Sequence, residues 1–205
     1  GTSGTFKLVK NKYYWDADNV KNEKVNIQTI KKPDTAVQMY KDGELDAAGI
    51  SGTEAIYNAN KNNKDVVQVP EATTSYLVYN ETGTVPALTN TKIRQALNLA
   101  TDREGIVKAA IDTGSKAATA LVPYGLETLP DGTESTDDVE PGYSYDEKEA
   151  TKLFKEGSAE LGTDSVKLTI TSDADSPVAK ATVDYLKQTW EEALPGLTVE
   201  EKFVT

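Results

Sequence analysis

Val166-Lys167-Leu168-Thr169-Ile170 places an apolar side chain at every second position and so reads as a strand with one buried face. The chain then passes through Ser172-Asp173-Ala174-Asp175 to Ser176-Pro177, a cap residue followed by a proline suited to the first helical position. Val178, Ala181, Tyr185 and Trp190 share one face of the helix that follows, and Pro195-Gly196 stops it. Leu197, Val199 and Phe203 resume the alternation. Strand, helix and strand in this order predict a parallel pair joined by a right-handed crossover, which sets the class as α/β.

Upstream the same alternation of elements continues. Ser144-Tyr145-Asp146-Glu147 has capping-box spacing, and Ala150, Leu153, Phe154 and Leu161 form the apolar stripe of its helix. Before it, residues 113–142 hold Pro123, Pro130, Gly132 and Pro141 and read as a long surface excursion. Thr101-Asp102-Arg103-Glu104 is a second box, opening a helix with Ile106, Val107, Ala110 and Ile111, and Ile93, Ala96, Leu97 and Ala100 line the helix before that. Strands are expected at Phe6–Val9, Val25–Ile30, Leu45–Ala48, Val66–Val69 and Ser75–Tyr79. Short helices are expected after Pro33-Asp34, ending at Gly43, and after the box Ser51-Gly52-Thr53-Glu54. The chain opens at Gly1-Thr2-Ser3-Gly4 in a turn and is still alternating at Val199, Glu201 and Phe203, so it is expected to be an internal piece of a larger protein.

Composition narrows the function classes. The 205 residues carry 22 basic and 33 acidic side chains, a net charge of −11 with no basic stripe, which argues against a nucleic-acid partner. The chain has no cysteine and no histidine, which removes disulfides, thiolate chemistry, Cys or His metal ligation and every His-dependent triad. No apolar run is long enough to cross a bilayer. G-x-S-x-G, P-loop and G-x-G-x-x-G fingerprints are absent. Carboxylates are abundant, so a glycosidase-like acid pair is not removed by counting; the clusters Asp137-Asp138-Glu140 and Asp173-Asp175 read first as solvated loops. Tyr13-Tyr14-Trp15 and the pair Tyr76 and Tyr79 suit either a core or a ligand-lined cleft. Three positions apart on a strand, Tyr76 and Tyr79 point to opposite faces.

Taken in order, a series of segments resembles one family. Asn11-Lys12-Tyr13-Tyr14-Trp15-Asp16 is similar to an N-P-x-Y-W-D segment, with Lys12 in place of proline. Asp42-Gly43-Glu44-Leu45-Asp46 is similar to an S-G-E-I-D turn, and Tyr76-Leu77-Val78-Tyr79-Asn80 to a strand ending in asparagine. Ile93-Arg94-Gln95-Ala96-Leu97, Ala100-Thr101-Asp102-Arg103 and Ile106-Val107 follow the pattern R-x-A-L…A-x-D-R-x-x-I-V, and Val122-Pro123 and Tyr145-Asp146 continue it. The chain thus resembles the extracellular solute-binding proteins of oligopeptide and dipeptide ABC transporters, family 5, over nearly its whole length. Its Lys-, Asn- and Thr-rich style looks like a Gram-positive version.

The resemblance implies a periplasmic-binding-protein-like (type II) α/β fold, with mixed sheets, flanking helices and incomplete portions of two lobes. Residues 1–73 would be the carboxyl-side part of the first lobe and 74–205 the amino-side part of the second. It implies the substrate-binding component of an importer, which captures extracellular oligopeptides through their backbones and delivers them to the permease subunits. No enzyme activity and no cofactor are implied, and a lipid anchor lying outside the chain would tether a cell-surface lipoprotein. Thr74, Ser75 and Tyr76 match the crossing strand where ligand contacts occur in the family. The loop holding Asp173, Asp175 and Ser176, between a strand's carboxyl end and a helix start, is a second candidate. The acid that pairs a peptide's amine in well-known members would lie beyond Thr205, and the position of a carboxylate-pairing lysine in some members falls near Ile111. A receptor for a sugar, a metal chelate or a peptide pheromone, a carboxylate-dependent hydrolase and an adhesion module stand as alternatives.

Overall fold

The computed structural model describes residues 4–50, 54–67, 69, 71–111, 114–135 and 144–205. The chain divides into two compact units, Gly1–Ser51 and Gly52–Thr205.

The first unit is built on an antiparallel pair, β1 (Thr5–Val9) and β2 (Lys24–Gln28), with Phe6 opposite Ile27 and Leu8 opposite Val25. The connection is closed at its base by Lys10 N–H donating to the Glu23 carbonyl at 3.0 Å. Inside it, the Asn11 side chain accepts from Tyr13 N–H and the Asn11 carbonyl from Tyr14 N–H, which bends the chain into a turn. Tyr13 and Trp15 are 83% and 86% exposed there, so the aromatic triplet is not core. Helix α1 (Pro33–Lys41) starts on its proline, and Gly43 at φ 77° ends it in the left-handed conformation that glycine adopts without steric cost.

The second unit holds the larger core. After α2 (Glu54–Asn60) come α3 (Pro86–Thr89), α4 (Thr91–Leu99), α5 (Arg103–Ile106) and a π turn over Val107–Ile111. Then follow α6 (Glu147–Glu160), β3 (Val166–Asp173), α7 (Pro177–Ala193) and β4 (Leu197–Val204). Strands β3 and β4 are parallel and paired from Val166–Leu197 to Asp173–Val204, as the alternation predicts. Val166, Leu168 and Ile170 are buried and Lys167, Thr169 and Thr171 exposed, so one face of the pair is covered and the other is not.

Ile93, Ala96 and Leu97 from α4, Ala150 and Phe154 from α6, and Val183, Leu186 and Trp190 from α7 close over that face. Each large apolar side chain so buried adds roughly 1.5–3 kcal/mol of hydrophobic stabilisation. Helices α4 and α6 meet at Gly157, where a Cβ would sit 3.0 Å from the Ile93 side chain. The buried stripe of α7 is Val183, Leu186, Trp190 and Ala193; the expected Val178, Ala181 and Tyr185 are only partly covered.

Several local expectations are corrected. Leu45–Ala48 forms no strand and is not buried. Val66, Val67 and Val69 lie in no described strand, nor does Ser75–Tyr79, with Val67 79% and Val78 80% exposed. A strand is stable only against a partner, and the described residues present none to these segments. Asp146, not Ser144, caps α6, accepting from Glu149 N–H at 3.0 Å. Asp102, not Thr101, caps α5, accepting from Gly105 N–H at 2.9 Å. Ser51-Gly52-Thr53, Asp137-Asp138-Glu140 and most of the expected excursion's second half fall outside the described residues; within 114–135 a single bridge joins Thr128 and Glu134.

Candidate ligand-binding site

Residues 74–80 form an extended, irregular segment of the second unit. Thr74 is half-buried, while Ser75 and Tyr76 are exposed, Tyr76 at 68%. Among the described residues, no hydrogen bond engages the backbone of Thr74, Ser75 or Tyr76, so their N–H and C=O groups are open to another chain. Tyr79 faces the other way, packed against the core. Burial pushes its phenol up to about 12, against the opposing pull of the Arg103 and Arg94 guanidiniums. The two tyrosines therefore divide between the faces as their spacing requires.

The second candidate is the turn from β3 into α7. Asp173 accepts from Asp175 N–H at 2.8 Å, and Ala174 N–H donates to the Val204 carbonyl at 2.9 Å. Ser176 Oγ accepts from Ala179 N–H at 3.2 Å and caps α7, an expected role that commits the hydroxyl to the fold. One turn thus brings Asp173, Asp175 and Ser176 together, with both carboxylates at the surface. Among the described residues no hydrogen bond or ion pair joins this turn to Thr74–Tyr76. No group of three or more acidic side chains placed to hold a metal ion occurs among the described residues.

The sequence reading missed a polar joint at the α4–α5 turn. Thr101 Oγ1 donates to the Leu97 carbonyl at 2.7 Å and accepts from Trp190 Nε1 at 3.1 Å. Tyr185 Oη lies 3.4 Å from the Asp102 carboxylate, and burial first, then that carboxylate, push the phenol up. A Cβ at Gly105 would meet Tyr185 Oη and the Asp102 carboxylate, so a larger residue there would have to push these side chains out of the joint. The pattern Asp-x-x-Gly was visible, but its partner on α7 is 83 residues away. Also missed was the support behind Tyr79: Arg94 Nη2 pairs with Glu81 at 3.2 Å while Nη1 donates to the Leu88 carbonyl at 2.7 Å.

The α/β frame thus carries an open backbone edge at Thr74–Tyr76, with the Asp102, Asp146 and Asp173 carboxylates engaged in caps and turns, the arrangement of a binding protein. Residues 2–205 match the family described as bacterial extracellular solute-binding proteins, family 5 Middle, and the chain belongs to it. That family binds solutes and is not one of enzymes.

The chain is 36% identical over 211 residues to a dipeptide-binding protein of Lactococcus lactis, covering 100% of this chain and 38% of that relative. Its fold superposes on the structure of Listeria monocytogenes OppA bound to peptide with a TM-score of 0.86 and 32% identity, over 100% of this chain and 40% of the other. The pheromone receptor PrgZ, solved for its mode of peptide binding, gives 0.83 and 29% over 100% and 40%. The chain therefore spans about two fifths of the length of the relatives it matches. The expected α/β solute-binding fold and the family are both borne out.

Proposed function

We propose that this chain is the central part of the substrate-binding component of an oligopeptide ABC importer, and that Thr74, Ser75 and Tyr76 present their backbone to an extended peptide as an added strand. The observation that carries this reading is the unpaired edge at Thr74–Tyr76, exposed at Ser75 and Tyr76, in a chain similar throughout its length to a peptide-bound OppA. Main-chain pairing reads no side chains, so the selectivity it gives is broad. Asp173 and Asp175 at the turn before α7 form the second contact region, with Ser176 holding the shape of that turn through its cap bond. In this reading 1–73 and 74–205 contribute to two lobes that close over the ligand, and closure signals to the permease subunits. The protein acts outside the cell, held at the surface by a lipid anchor.

Native mass spectrometry of the full-length protein that contains this sequence, purified from rich medium, tests the reading. A heterogeneous ladder of co-purifying peptides is the expected result. A single sugar or metal-chelate mass in its place would sink it. The similarity to PrgZ favours one narrower variant, a receptor for a peptide pheromone, which would show as a single peptide mass.

A further inference from the structure

We propose that Tyr79, Asn80 and the Arg94–Glu81 pair form a clamp that fixes the carboxyl end of the Thr74–Tyr76 edge, so that these residues position the ligand strand without touching the ligand. The proposal rests on the peptide-binding reading and deepens it.

The border between free and fixed chain falls between Val78 and Tyr79. On the amino side, Tyr76, Leu77 and Val78 are 68%, 41% and 80% exposed. On the carboxyl side, nearly every residue to Leu88 is held. Tyr79 is packed on the core, as are Val85, Ala87 and Leu88. Asn80 closes a small ring of hydrogen bonds: its Oδ1 accepts from Thr82 N–H at 3.1 Å and from the Thr82 hydroxyl at 2.7 Å, and its Nδ2 donates to Thr84 Oγ1 at 3.1 Å. Glu81 reaches Arg94 on α4.

An exposed ion pair alone contributes little, because two long side chains must be immobilised to form it. Here Arg94 is already immobilised, only 20% exposed and bonded to the Leu88 carbonyl at 2.7 Å and to Thr91 Oγ1 at 3.3 Å, so Glu81 meets a preset partner. An extended edge anchored at one end has fewer conformations to lose when a peptide pairs with it. Preorganisation of this kind is read in the lifetime of the complex more than in its rate of formation.

The test uses the full-length protein and a random-sequence pentapeptide library, with association and dissociation followed separately. Tyr79→Ala should release peptide roughly tenfold faster while association changes by no more than about twofold. Tyr79→Phe, which keeps the buried ring, should restore the slow release. Glu81→Gln should speed release by a few-fold with the unfolding temperature unchanged, a combination that a purely structural role would not give. If Tyr79→Ala does not fold, Glu81→Gln decides alone. Release at the unaltered rate in every folded variant overturns the clamp and leaves the peptide reading standing. Failure of the unaltered protein to bind any library peptide overturns both.

Discussion

Replacing Thr101 by valine keeps the shape of the side chain and removes one oxygen, and that oxygen serves two buried groups. Trp190, 2% exposed, donates its indole N–H to it at 3.1 Å; Leu97, 0% exposed, receives its hydrogen at the carbonyl at 2.7 Å. The Leu97 carbonyl lies in the last turn of α4, where main-chain partners run out. Each group left dry and unpaired costs about 1–3 kcal/mol, so the pair costs about 2–6 kcal/mol, and the lower half of that range applies because the joint is only part-buried. Exchanging hydroxyl for methyl in a partly buried site returns about 1 kcal/mol. The net expectation for Thr101→Val is a loss of about 2 kcal/mol. Thr101→Ser keeps the oxygen and gives up a methyl, a loss of about 1 kcal/mol. The assay is urea unfolding followed by Trp190 fluorescence, since Trp15 is 86% exposed and its emission changes little. With a slope of about 1–3 kcal/mol per molar urea, Thr101→Val should move the midpoint down by about 1 M. The serine variant should move it about half as far. If the valine variant is as stable as the serine variant, the hydroxyl bridge between α4 and α7 is not what holds this corner, and the reasoning fails.

Two further perturbations separate competing physical accounts. Asp146→Ala should destabilise the second unit by about 1 kcal/mol, while Ser144→Ala leaves the urea midpoint in place; the reverse order would show that the α6 cap is misassigned. Lys92 bonds Glu156 and Glu160 at 2.8 Å each, and its hydrogen bonds hold both carboxyls below their ordinary value of 4.5. A carboxylate whose folded pKa is depressed contributes stability above that ordinary value and loses it as pH falls through the folded one. Lys92→Met should therefore be less stable than the unaltered chain at neutral pH, with the gap closing in acid and shrinking in high salt. A gap that stays constant across an acid titration would remove the ion pairs from the account.

The parts of the fold that could be read from residues alone are those whose causes are local. The β3–α7–β4 unit was legible because its alternation, the Ser176 cap, Pro177 and the stop at Pro195-Gly196 all act within a few residues. The caps of α5 and α6 were placed one and two residues early for a reason that is not local. Ser144…Glu147 and Asp146…Glu149 are both capping-box spacings, and residue types do not choose between them. The choice is made by Asp146 N–H, which donates to the Leu99 carbonyl at 2.9 Å and so sets that residue at the mouth of α6. Thr101 is diverted in the same way by Leu97 and Trp190, leaving Asp102 to cap.

The failed strands teach something different. Period-two spacing says which side chains a strand would bury, but pairing is a property of two chains, and a pattern is satisfied on paper by one. Ser75–Tyr79 keeps the facial division that its spacing demands, with Tyr76 outward and Tyr79 on the core, although it sits in no sheet. The same fact accounts for how much of the candidate site was visible. The open edge could be placed because alternation and family resemblance both act along the chain. Its support could not, because Arg94 meets Glu81 across thirteen residues and Tyr79 rests on a core assembled from α4, α6 and α7. An edge that is to accept a ligand strand has to stay unpaired, and it stays ordered only if something beside it is fixed. Sequence spacing identifies the first property, and only the packed structure supplies the second.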